Sequence, residues 1–190
     1  MLSESARMSS SAEARFRVQA PNSTPRSIKV IALDAPGEDV VRRLAESSWN
    51  HATFLTASAF AGAPAAEQHV STLRPFDKLR VVLSDDEGRE TKEGWLRDLG
   101  GHACDLMDEV SAADLVVMVA TAGGSAQAAA IIGEACHFAR VMTTALVVGG
   151  ASASDEALSK TLAPLRPWSL MVVIADSDEY IGDMLIALRA

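Results

Sequence analysis

The sequence predicts an α/β fold in three layers, a mostly parallel six-stranded sheet with helices on both faces. Three observations point there. Apolar runs alternate with stretches of helical spacing along the chain, the order a parallel sheet requires because each strand needs a crossover to reach the next. Each run is apolar almost throughout, as strands covered on both faces are. The run Leu115 to Ala120 passes through Gly123 and Gly124 into an alanine-rich stretch ending near Arg140. That strand, turn and helix form the unit around which the chain is organised.

Composition sets the limits. With 190 residues, 48% of them apolar, the chain can build one domain around one sizeable core. A net charge of −8 argues against a nucleic-acid partner and against an anionic membrane surface, both of which need clustered Lys and Arg. Cys104 and Cys136 are the only cysteines and stand in apolar surroundings; they match no redox pair and no disulfide framework. No run is long enough to span a membrane, and the N-terminus lacks the apolar core of a signal peptide, so the expected location is cytoplasmic.

The elements follow in order. Residues 1–27 are rich in Ser, Ala and Arg and are expected to form a disordered tail; residues 28–190 are expected to form a single domain. Ile28 to Leu33 is a β-branched first strand, and Asp34-Ala-Pro-Gly37 a turn. Val40, Val41, Leu44 and Ala45 recur at helical spacing, giving a helix from about Glu38 to Ser48. Thr53 to Ala57 is a second strand, Ser58 to Pro75 a long loop, and Leu79 to Leu83 a third strand ending in an acidic turn.

A short helix around Trp95, Leu96 and Leu99 should stop at Gly100 and Gly101, where glycine can close a helix. Ala103, Leu106, Met107 and Val110 mark an amphipathic helix that leads into the strand at Leu115. Thr143 to Val148 is the fifth strand. After Gly149-Gly150-Ala151, Ser152 or Ser154 caps a helix with a buried stripe of Ala157, Leu158, Thr161, Leu162 and Leu165. Leu170 to Ile174 is the sixth strand, and Tyr180, Ile181, Met184, Leu185 and Leu188 mark a last helix.

In open parallel sheets ligands lie beyond the carboxyl ends of the strands, near the point where strand order reverses. Here that selects the loops Asp34 to Gly37, Thr121 to Gln127, Gly149 to Ser154 and Asp176 to Asp178. Gly123 and Gly124 read equally as a ligand-cradling turn and as a plain strand-to-helix turn. Ser125 and Gln127 could donate hydrogen bonds to a ligand; capping of the helix by Ser125 explains it as well. Asp34 and Glu38 could hold a divalent ion, but carboxylates favoured at a helix start are the simpler account.

His102, Cys104, Cys136 and His137 are zinc-type ligands at spacings that match no finger or knuckle. Asp85, Asp86 and Glu87 read as a solvated turn, and Trp49, Trp95 and Trp168 as packing residues. No Ser/His/Asp or Cys/His constellation can be assembled, so no catalytic residue is assigned.

Two segments resemble the nucleotide-binding domain of the tubulin and FtsZ family, the filament-forming GTPases. Ile28-Lys-Val-Ile-Ala-Leu-Asp-Ala-Pro-Gly-Glu-Asp-Val-Val-Arg-Arg-Leu44 is similar to that family's opening strand, glycine loop and first helix. Asp114 to Glu134 is similar to its strand, signature loop and phosphate-holding helix. Ile174-Ala-Asp-Ser-Asp-Glu-Tyr-Ile181 resembles the sixth strand and the entry to the central helix. The resemblance implies a Rossmann-like domain that binds GTP or GDP through Gly37, Gly123, Gly124, Ser125, Gln127 and Asp176, with no metal ligand assigned.

Departures from the family pattern are many. Only Gly37 remains of the first loop's glycines, flanked by Asp34, Pro36 and Glu38, so carboxylates face the phosphate position and Pro36 offers no N–H. Ala126-Gln127-Ala128 stands where the family continues with Thr and Gly, and methyl groups replace bare backbone. Asp176 stands in place of an asparagine. The family's guanine-reading aspartate and the loop that activates water would both lie beyond Ala190. The resemblance therefore implies no standard filament-coupled GTP hydrolysis from this chain alone.

Three functional readings result. The first is a degenerate FtsZ-like domain that binds a purine nucleotide or another small anion in a regulatory or assembly role. The second is a protein interaction module, a homo-oligomer whose old site has closed and whose last helix presents apolar residues to a partner chain. The third, a dinucleotide-dependent enzyme, is disfavoured because no G-x-G-x-x-G follows the first strand.

Overall fold

The strand Leu115–Thr121 (β4) shows why the sequence carries apolar runs rather than alternation. Every residue from Leu115 to Ala120 is buried, because both faces of the sheet are covered. The computed structural model describes residues 25–59, 96–176 and 179–190. Within them, β4 lies between Ile28–Ala32 (β1), also buried throughout, and Met142–Val148 (β5). Ala52–Thr56 (β2) pairs with the other side of β1, and Met171–Ala175 (β6) with the far side of β5. All four pairings are parallel, in registers that include Ile28↔Leu115 and Thr144↔Met171.

Two helices cover one face, Ala35–Ala45 (α1) and Glu179–Ala187 (α5). Val40, Val41, Ile181 and Leu185 meet Ile28, Val30, Val117 and Val119 there. Three cover the other: Leu106–Ser111 (α2), Ala128–Ala139 (α3) and Asp155–Leu165 (α4). Their Val110, Ile132, Leu162 and Leu165 join Ile31, Val116 and Met118. Along β4, odd-numbered residues feed one layer of core and even-numbered residues the other.

The chain carries its own start signals. Asp34, Asp105 and Ser154 cap α1, α2 and α4, their side chains accepting the N–H groups of Gly37, Asp108 and Ala157. At the amino end of the sheet, Lys29 is 9% exposed, and its Nζ lies 2.7 Å from Glu109 and 3.2 Å from Thr53 Oγ1. A buried ammonium needs such partners.

Several sequence expectations are corrected. The helix expected from Glu38 to Ser48 runs from Ala35 to Ala45. Asp34-Ala-Pro-Gly37 is therefore its cap and first turn, where Pro36 is tolerated because the first helical N–H groups have no partner within the helix. The short helix expected around Leu96 and Leu99 is instead an antiparallel strand, Arg97–Asp98 (β3), paired with β2. Asp98 accepts the His102 N–H at 2.8 Å and lies 2.9 Å from its Nδ1, closing a tight turn so that Arg97 bridges Ala103. Ala103 thus precedes α2, which starts at Leu106. Trp95, the strand expected at Leu79 to Leu83, the acidic turn Asp85 to Glu87, the expected Ser58 to Pro75 loop from Phe60 onward, and Ser177 and Asp178 lie outside the described residues, as does the tail up to Thr24. Among the described residues the strand order is β3-β2-β1-β4-β5-β6.

α3 lies so close to the turn Arg166–Trp168 that a Cβ on Gly133 would overlap the Trp168 side chain. Gly133→Ala should therefore cost about 1–3 kcal/mol of stability through overpacking, measured by chemical denaturation, although alanine has the higher helix propensity.

Candidate functional site

Strand order reverses between β1 and β4, since the chain winds outward to β2 on one side and to β5 on the other. The crevice beyond these two carboxyl ends is where an open α/β sheet offers a ligand site. Asp34 occupies it. Leaving β1, the chain places this side chain at the N-terminus of α1, only 4% exposed. Oδ1 accepts the Gly37 N–H at 2.7 Å. Oδ2 accepts both the Thr121 N–H and the Thr121 hydroxyl at 2.9 Å.

This carboxylate does what a bound anion would do. It satisfies orphan N–H groups, places negative charge at the positive end of a helix dipole, and joins the ends of β1 and β4. Gly124 closes over it, and a Cβ at that position would fall within the Asp34 carboxylate. The bare backbone at Gly124 therefore makes room for Asp34 itself.

The turn after β4 is tied internally. Gly123 has φ 89°, a conformation that favours glycine. Its N–H is accepted at 2.9 Å by the hydroxyl of Thr161, a fully buried residue of α4. The same hydroxyl lies 3.1 Å from the Gly124 carbonyl, while the Gly124 N–H bonds the Thr121 carbonyl at 2.9 Å. At the end of β6, Asp176 accepts the Ala151 N–H at 3.0 Å and fixes the short helical turn Gly150–Ser152.

Glu38 and Arg42 tie α1 to its surroundings. Glu38 Oε2 accepts hydrogen bonds from Thr56 Oγ1 at 2.8 Å and Ser58 Oγ at 2.6 Å, and Oε1 accepts one from Arg42 at 2.6 Å. Arg42 also donates to the Leu99 carbonyl at 2.9 Å. The Ser58 hydrogen bond, with those of Arg42 and Thr56, outweighs burial and holds the Glu38 carboxyl below its ordinary range. Both helix-start carboxylates are thus engaged by protein donors.

Of the residues singled out from the sequence, Gly37 and Gly124 lie against Asp34, and Gly123 beside them is held by Thr161. Ser125 and Gln127 stand just beyond, at the start of α3. Gln127 is the N-cap, no side chain caps α3, and Ser125 does not play the capping role expected of it. The amides of Ser125, Ala126, Gln127 and Ala128 find no acceptor among the described residues. Asp176 is separate, at the end of β6. The hydrogen-bonding roles of Thr121 and Thr161 emerge only from the structure, although Thr121 opened a candidate loop and a threonine in the apolar stripe of α4 was an available signal.

No group of three His, Cys, Asp or Glu side chains suited to a metal occurs among the described residues. Burial pushes the Cys104 thiol up and that of Cys136 to about 12, so neither is a thiolate near neutral pH. Asp98 lies below its ordinary range, chiefly through the His102 backbone N–H. No helix of the described residues is long and apolar enough to cross a membrane.

Fold and crevice together define a Rossmann-like α/β domain with a six-stranded, mostly parallel sheet. No protein-family model matches the chain, and no curated protein matches it in sequence. Among solved structures, it is similar to translation elongation factor SelB from Methanococcus maripaludis in complex with the GTP analogue GppNHp. That match has 11% identity and a TM-score of 0.44, covering 87% of this chain and 34% of the other. The apo form of the same factor matches with 10% identity and a TM-score of 0.39 over the same shares. The chain thus spans about a third of those proteins, and likeness of this degree carries no argument about activity.

Asp34→Ala should lose the cap and both bonds to Thr121, lowering stability by about 2–4 kcal/mol in denaturant titrations. Glu38 supplies a pH test. Because its folded pKa is depressed, its contribution is complete above the ordinary value of 4.5 and lost as pH falls through the lower folded value. Glu38→Gln should remove that part of the acid-side loss, seen as a shallower fall in melting temperature below that pH.

Proposed function

We propose that this chain is a divergent relative of the FtsZ and tubulin nucleotide domain whose triphosphate site has been closed from within. It acts as a regulatory or assembly module without filament GTPase activity. The observation that carries this reading is Asp34, whose carboxylate takes the Thr121 N–H and hydroxyl at 2.9 Å beneath Gly124. A phosphate at the end of β4 would compete for the same donors and meet a fixed negative charge at close range. Support for the ancestry comes from the resemblance of Ile28–Leu44 and Asp114–Glu134, now joined as neighbouring strands with their helices.

Protein contact, rather than ligand chemistry, is then the role left to the fold, and a homo-oligomer is its simplest form. A second reading keeps GTP or GDP as a weak ligand, favoured by the amides of Ser125 to Ala128 that have no acceptor among the described residues. Gly37, Gly123, Gly124, Ser125, Gln127 and Asp176 would be its contacts in that case.

Thermal unfolding with GTP, GDP or ATP at millimolar concentration, with and without magnesium, separates the two. The closed-site reading expects no change in melting temperature. A rise that grows with nucleotide concentration contradicts it, because a ligand that binds only the folded state stabilises it by mass action.

A further inference from the structure

We infer that two copies of this chain join through the outer edge of β6, pairing antiparallel about Val173 to make one continuous sheet. The inference rests on the interaction-module reading and names its surface and its partner. The two edges of the sheet differ sharply. β3 is two residues long, both charged, and folds into a tight turn, all features that blunt an edge against pairing. β6 is Met-Val-Val-Ile-Ala, with no charge, proline or bulge, and no strand on its outer side among the described residues.

Its surroundings are apolar as well. Leu170 is 77% exposed, and Met171, Ile174 and Met142 are each close to half exposed. Ala175 faces β5, taking the Gly149 N–H at 2.9 Å. Alternation then turns the backbone groups of Val172 and Ile174 outward. A two-fold axis at Val173 sets Val172 opposite the partner's Ile174, so these outward groups exchange hydrogen bonds. One surface patch meets its own copy, as an isologous contact requires.

Charge selects the direction and favours a second copy over an unrelated strand. Exposed Arg166 lies before β6, at its amino end, while exposed Asp176 and Glu179 follow its carboxyl end. Parallel pairing would oppose like charges at both ends. Antiparallel pairing of two copies sets Arg166 near the acidic end of the other chain, twice per dimer.

The test is the mass of the full chain by light scattering across a micromolar concentration series. Wild type should show twice the mass of one chain. Val172→Pro removes an outward N–H and no bond to β5, so it should give a monomer with unchanged circular dichroism. Arg166→Glu should weaken the dimer about tenfold, and adding Glu179→Arg should restore it; this pair decides the matter if the proline variant does not fold. A single-chain mass at every concentration overturns the proposal. So does a dimer whose dissociation constant Arg166→Glu leaves unchanged, or one that the double variant fails to restore. Nucleotide titration reads the crevice alone, so failure here is distinct from failure of the closed-site reading.

Discussion

A buried carboxylate at a strand-order switch constrains everything around it. Asp34 can lie there only because three donors converge on it, two from Thr121 and one from Gly37. That convergence fixes where α1 begins and holds the end of β1 against the end of β4. It also requires Gly124 to be bare. Remove the carboxylate and those N–H groups lose their acceptor, at a cost comparable to leaving buried polar groups unmade. At the start of α1 the Gly37 and Thr121 amides that would attract a ligand are served by the protein itself, while at the start of α3 the amides of Ser125 to Ala128 find no acceptor among the described residues.

The fold was largely legible in the sequence, for reasons visible in β1 and β4. A strand buried on both faces must be apolar at every position, so Ile28 to Leu33 and Leu115 to Ala120 announce themselves by composition. β3 could not be read in that way. It is two residues long, both charged, and its existence depends on Asp98 and His102 closing a turn, a local hydrogen-bond effect with no periodicity. α1 was displaced by three residues because Asp34 and Pro36 suit a turn and a helix start equally well; the acceptor role of Asp34 toward Gly37 decides the matter.

The crevice was legible in part. Gly37, Gly123 and Gly124 were marked by the space they leave, but what fills that space was not, since Asp34 reaches Thr121 across 87 positions of sequence. Thr161 was counted among core residues, and its hydroxyl in fact fastens the Gly123 turn. Polar residues that satisfy other parts of a protein look, in sequence, like those that await a ligand. Asp176 shows the same ambiguity, since its carboxylate serves the Ala151 N–H. The comparisons with solved structures add only an α/β resemblance at about a tenth identity, so the account stands on the geometry of the crevice.

A crystal structure of the chain grown with GTP and magnesium is the most direct measurement. The account predicts Asp34 Oδ2 within hydrogen-bond distance of the Thr121 amide and hydroxyl, with no nucleotide over Gly123 and Gly124. A phosphate bound to the Thr121 amide, with the Asp34 side chain turned away from the crevice, would contradict it.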